Sequence, residues 1–256
     1  MKSFNRGTFL ILVFWSVSVL HLASILLNNY ALSLISKPLI LVSLSLYFLN
    51  ESYSYRNQKK INYVFGALFF SFGGDILLMF TSSGERFFIS GLASFLIAQI
   101  FYIITYSKFR TSDKSNKKDT TFKATLTILF LTYMIILWVQ LYPKLGHLLV
   151  PVSVYAFTIL LMVLFALFRL RATSTQSYKY VFIGATVFLI SDSLIAINKF
   201  IIPIENENLI VMITYIVAQY LIIRGLVQHL KWEWSYRGLT FPLPETLLRI
   251  LSGSPL

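Results

Sequence analysis

No cysteine occurs in the 256 residues, which excludes disulfide staples and thiolate metal sites and leaves the compartment open. Charge is scarce as well. Asp, Glu, Lys and Arg make up 12% of the chain, against about a quarter in soluble domains. Acidic residues are the rarest, 10 against 22 Lys and Arg, so a carboxylate inside an apolar stretch stands out. With 57% of residues apolar, a soluble domain is excluded.

What the chain has instead is apolar runs of the length that crosses a bilayer, roughly 20 residues each. They are read near 9–27, 31–49, 61–80, 87–106, 124–142, 147–168, 180–201 and 208–228. The expected architecture is an all-α polytopic membrane bundle of about eight transmembrane helices, one domain over 1–228. A tail over 229–256 would lie at the cytoplasmic interface. The first run follows Lys2 and Arg6 and lacks a small-x-small cleavage site, so it reads as a retained helix rather than a signal peptide.

The cations alternate between connections. The N-terminus holds 2, loop 50–60 holds 3, loop 107–123 holds 6, loop 169–179 holds 3 and the tail 3, a total of 17. The opposite connections hold 3: Arg86, Lys144 and Lys199. That asymmetry predicts cytoplasmic N- and C-termini and accounts for the net charge of +12 without nucleic acid as a partner. The expected location is a bacterial inner (cell) membrane. In the tail, Trp232, Trp234 and Tyr236 suit an aromatic belt, and Leu247, Leu248 and Leu251 suit a surface-lying turn.

The halves, about 9–106 and 124–228, resemble each other. Pro38 and Pro151 are offset by 113 residues, Asp75 and Asp192 by 117, and Gln99 and Gln219 by 120. A tandem repeat of four helices each is expected, related by an axis along the membrane normal. Such an axis would set Asp75 and Asp192 facing each other.

An ionisable group near the bilayer centre costs about 2.5–3.5 kcal/mol on insertion scales, so each one requires a reason. At 1.5 Å per residue, Lys37, Asp75, Asp192 and Tyr215 fall about 8–13 Å below one membrane face, with Gln219 near 16 Å. Ser71 and Asp75 share a helix face, as do Tyr215 and Gln219, while Asp192 and Lys199 are two turns apart. Arg224 lies toward the other end. One lysine cannot neutralise two aspartates, so a hydrated functional layer is expected rather than a purely structural pair. His21 and His147 show no ligand spacing beside the aspartates, and neither a metal nor any other cofactor is expected.

These residues also carry a family resemblance. Lys37-Pro38, Ser71-x-x-Gly74-Asp75-x-x-Leu78 and Gly91-x-x-x-Phe95-x-x-Ala98-Gln99-x-x-Tyr102 resemble the YhhN-like lysoplasmalogenase family of membrane proteins. So do Pro151-x-x-x-Tyr155, Gly184-Ala185-x-x-Phe188-x-x-Ser191-Asp192-x-x-Ile195-Ala196-x-x-Lys199-Phe200 and Tyr215-x-x-Ala218-Gln219-x-x-Ile222-x-x-Gly225. The blocks occur in order from the second helix to the eighth. Gln99 departs from the pattern, which usually shows His there, and that speaks against proton transfer at this position.

The resemblance implies a hydrolase that cleaves the vinyl ether bond of lysoplasmalogens to a fatty aldehyde and a glycerophospho-base. Its substrate would be a lysophospholipid and its functional positions Lys37, Asp75, Asp192, Tyr215 and Gln219. Vinyl ether hydrolysis needs one carboxylic acid to protonate carbon and one carboxylate to stabilise the cation and deprotonate water, a division of labour shared with glycosidases. Asp192 is assigned as the acid and Asp75 as the ionised partner of Lys37; Ser71, Tyr215 and Gln219 would orient water or the glycerol end. Two other classes use the same residues differently. A small-molecule or ion transporter could exploit the buried Asp/Lys layer, and a receptor or structural module would tolerate its neutralisation.

Overall fold

In the computed structural model, residues 6–56, 58–111 and 115–240 are described, with side chains through 235. Lys2, Asp113, Lys114, the side chains of Tyr236 and Arg237, and the expected turn around Leu247, Leu248 and Leu251 lie outside the described residues. The described chain is helical, and eight of its helices are long and apolar enough to cross a membrane. They are α1 (Arg6–Leu26), α2 (Tyr30–Ser52), α3 (Lys60–Met79), α4 (Glu85–Lys108), α5 (Lys117–Leu141), α6 (Leu149–Leu167), α7 (Thr175–Phe200) and α8 (Glu207–Thr240).

The two largest departures from the hydropathy reading each have a local reason. α5 starts at Lys117 rather than near 124 because Asn116 and Asp119 form a reciprocal capping box that satisfies the first backbone N–H groups. α8 does not stop near 228 but continues to Thr240. Polar contacts outside the apolar run hold this extension. His229 Nδ1 and Thr173 Oγ1 are 2.6 Å apart, Lys60 pairs with Glu233, and Lys231 pairs with Glu51. At 1.5 Å per residue α8 is about 50 Å long, against about 30 Å of hydrocarbon, so it is longer than a crossing needs.

Two helix pairs form the frame. α3 packs on α4 and α7 packs on α8 more extensively than any other pairs. Close approach explains the second: a Cβ on Gly184 would come within 2.9 Å of the Ile222 backbone nitrogen. The two backbones touch there, as small residues permit in membranes. α5 is the most peripheral helix, with isoleucines 128, 135 and 136 turned outward, whereas α8 is the most enclosed. The halves meet through α4 on α6 and α2 on α8.

Beyond α6, Arg169 is fully buried in the turn before α7. Its Nε donates to the Phe109 carbonyl at 3.0 Å and a terminal nitrogen donates to Ser177 Oγ at 2.9 Å. Burial pushes its pKa down to about 10, which still leaves it charged at neutral pH.

Candidate active site

Each aspartate of the intramembrane layer projects from the C-terminal part of the first helix of a tightly packed pair, α3 on α4 and α7 on α8. Gly74 precedes Asp75 on α3, and a Cβ there would come within 2.5 Å of the Phe95 ring. The glycine therefore lets α4 lay an aromatic ring beside the carboxyl. Asp75 is buried. Its Oδ1 lies 3.9 Å from Lys37 Nζ on α2, an ion pair too long for a direct hydrogen bond. Its Oδ2 accepts from the Tyr215 hydroxyl on α8 at 2.8 Å. Gln219, one turn further along α8, donates to Ser71 Oγ and to the Tyr215 oxygen, both at 3.3 Å, and accepts from Tyr102 at 2.6 Å. The sequence-selected residues Lys37, Ser71, Asp75, Tyr215 and Gln219 thus form one connected network.

Asp192 on α7 is half-buried and belongs to a second network. Its Oδ2 accepts from the Tyr155 hydroxyl on α6 and from Gln99 Nε2 on α4, the latter at 3.4 Å. Oδ1 has no hydrogen-bond donor among the described residues. No cation pairs with Asp192 among those residues. It lies within electrostatic range of Asp75. Between the two networks stand Phe95, Phe188 and Tyr215, packed edge to face with centroids 5.7–6.3 Å apart. Sequence reasoning gave no role to Tyr155, Tyr102 or Gln99. Tyr155 and Tyr102 occurred in the quoted motifs, but tyrosines are too common in this chain for their presence to signal a contact.

The remaining intramembrane candidates lie elsewhere. Lys199 turns away from Asp192 and places Nζ 4.3 Å from the Phe88 ring centroid. Arg224 donates to the Tyr47 hydroxyl at 2.8 Å. His147 is exposed and bonded to Glu85, whereas His21 is buried and bonded to Ser36, so the histidines do not meet.

A cleft of about 580 Å³ opens on the membrane face opposite the one where α1 begins and α8 ends. Neither aspartate lines it. Its floor includes Leu78 and Ile195, each three residues beyond an aspartate on the same helix, and Lys37, which reaches down to Asp75. The carboxyl layer therefore sits about one helical turn beneath an open polar vestibule.

The geometry is that of two intramembrane acids, one buried and one half-buried, with unlike partners under a cleft. No solved structure matches the chain at a significant level. Among curated proteins, the chain is similar to the human protein named lysoplasmalogenase TMEM86A, with 29% identity over 179 residues, 68% of this chain and 69% of that one. The model of the YhhN family matches residues 32–226. That match takes in both aspartates, all their partners and most of the chain, and the protein belongs to the YhhN family.

Proposed function

We propose that the protein is an intramembrane hydrolase that cleaves the vinyl ether bond of lysoplasmalogen-type lysophospholipids, releasing a fatty aldehyde and a glycerophospho-base. The observation that carries the reading is the unlike pairing of two intramembrane carboxyls: Asp75 with a lysine, Asp192 with only a phenol and an amide. The likeness to a lysoplasmalogenase supplies the substrate class.

In this mechanism Asp192 is the general acid. Tyr155 and Gln99 both donate to Oδ2, which leaves Oδ1 to carry the proton. The vinyl π pair takes that proton at the β-carbon, and the positive charge develops on the α-carbon and its ether oxygen. Asp75, kept ionised by Lys37, stabilises this oxocarbenium ion and accepts a proton from the water that attacks the α-carbon. The hemiacetal then collapses: its hydroxyl proton passes to Asp192, the carbon–oxygen bond to glycerol breaks, and the departing oxygen takes the proton that Asp75 holds. One water is consumed and the carboxyls return to their starting states. Ser71, Tyr215 and Gln219 hold Asp75 in place and orient the water or glycerol end. Phe95 and Phe188 exclude bulk water from the cation.

The same reading places the protein as a multi-pass enzyme of a bacterial inner membrane, with both chain ends cytoplasmic and the cleft on the outer side. The test uses the full chain in nanodiscs with 1-alkenyl lysophosphoethanolamine. Aldehyde release that is lost in Asp75→Asn and Asp192→Asn supports the reading. No release from the wild type removes it, and substrate-dependent uptake into proteoliposomes without aldehyde would favour a transporter instead.

A further inference from the structure

The cleft above the aspartates contains a buried acceptor that the reaction does not use. Asn28, in the left-handed region at φ 52, and the N-cap Asn29 turn the chain tightly from α1 into α2. That turn brings His21 against Ser36. The His21 ring is 2% exposed, forms part of the cleft wall, and has Nδ1 3.0 Å from Ser36 Oγ. Ser36 Oγ donates its only proton to the Leu32 carbonyl at 2.7 Å, so it can only accept from the histidine. The ring proton is therefore on Nδ1, and in the neutral ring Nε2 is an acceptor. Nε2 is buried without a hydrogen-bond partner. A buried acceptor of that kind calls for an O–H or N–H donor, and the cleft that His21 lines is a route by which one can reach it.

The charges around it narrow what enters. Lys199, which has no acidic partner among the described residues, and Lys37 line the cleft, and Glu207 lies on its α8 wall. Lys199 stands seven residues beyond Asp192 on α7, about 10 Å along the axis, with its ammonium over the Phe88 ring rather than on the carboxyl. A phosphodiester near Lys199 would leave its glycerol carbons between the lysine and the carboxyl layer. Glu207 would face an amine on the head group.

We propose that the cleft is the polar-head subsite of the site beneath it, in which the free C2 hydroxyl of a single-chain glycerophospholipid donates to His21 Nε2 while its phosphate faces Lys199. This deepens the hydrolase reading and rests on it for the orientation of the lipid. His21 becomes the residue that distinguishes a free glycerol hydroxyl from a blocked one, because a lipid substituted at C2 leaves the buried acceptor unpaired.

Binding tests this without chemistry. The probes are a saturated 1-alkyl glycerophosphoethanolamine, which has no vinyl bond to cleave, and its C2 O-methyl ether, each titrated against the full chain in nanodiscs by calorimetry. The wild type is expected to prefer the free hydroxyl by about tenfold or more, the usual effect of a buried group left unpaired. His21→Ala should bind both ethers alike, and His21→Gln, which restores an acceptor, should recover part of the preference. Lys199→Gln should weaken both probes by a similar factor, and inorganic phosphate should compete poorly because it engages the lysine alone. Equal wild-type binding of the two ethers, or a preference that survives in His21→Ala, overturns the proposal, since Nε2 would then be satisfied by water. Should His21→Ala fail to fold, the wild-type pair and His21→Gln still decide it. The two readings fail separately: a C2 preference without aldehyde release from the alkenyl lipid removes the hydrolase alone, and release without the preference removes the subsite alone.

Discussion

Asp75 and Asp192 occupy corresponding places in two similar stretches of sequence, yet their partners differ in charge. Asp75 draws Lys37 from α2 and Tyr215 from α8. Asp192 draws Tyr155 from α6 and Gln99 from α4. Helix for helix this is what the expected four-helix repeat would give, with α2 matched to α6 and α8 to α4. Residue for residue it is not. The position before Pro151 that would match Lys37 is Val150, which is exposed, and the position that would match Tyr215 is Phe95, which has no hydroxyl. Each socket holds one aspartate, the first beside a cation and the second beside neutral donors only. That asymmetry fits acid–base chemistry on a vinyl ether, since unlike environments set which carboxyl holds the proton.

The comparison is broken most directly by removing each acid. Asp192→Asn should lower aldehyde release by about a thousandfold, within the range for loss of a general acid. Asp75→Asn should cost somewhat less, about a hundredfold or more, because water can still capture the cation without a base. Comparable single-turnover rates for the two variants, measured by trapping the aldehyde, would erase the division of roles.

Lys37 separates the sockets next. Lys37→Met strands a buried carboxylate and should destabilise the protein by about 1–3 kcal/mol, read by detergent-induced unfolding. Adding Asp75→Asn should restore part of that loss, a coupling of about 1 kcal/mol or more, whereas Asp192→Asn should add independently within about 0.5 kcal/mol. Coupling of Lys37 to Asp192 as strong as to Asp75 would mean the lysine serves both acids. Below these come the phenols. Tyr155→Phe and Tyr215→Phe each remove one hydrogen bond to a carboxylate and should cost about 1 kcal/mol of stability. Tyr155→Phe should also lower the rate by about tenfold, since it changes how Asp192 presents its proton. A silent Tyr155→Phe would remove that phenol from the mechanism.

The bundle was legible because its signal is compositional. Eight apolar runs separated by basic loops admit little else in a chain with so few charges, and the same scarcity made Asp75, Asp192 and Lys37 visible. The ends of α5 and α8 were not legible from hydropathy, which ignores the capping box at Asn116 and the polar contacts that hold His229 and Glu233. Tyr155 was hidden for the opposite reason. Among 15 tyrosines and 23 phenylalanines, only the packing of α6 on α7 shows which ring meets a carboxyl. The partner of His21 was likewise beyond the sequence, since it depends on the turn at Asn28 rather than on any spacing.

Gln99 offers the finest division between the sockets. It sits at 3.4 Å from Asp192, near the long limit for a hydrogen bond, and its Oε1 is buried without a partner. The Tyr155 hydroxyl is the closer donor to the same oxygen. If Tyr155 alone fixes the orientation of Asp192, then Gln99→His, which keeps a donor on the same helix face and sheds the unpaired carbonyl, should change aldehyde release by less than about threefold. A large gain would show instead that a titrating group at this position can help deliver or reload the proton, and that this chain works with its acid only partly supported. The same substitution made on Tyr155→Phe sharpens the outcome: the imidazole should matter more once the phenol is gone, because Asp192 Oδ2 then has no other donor among the described residues.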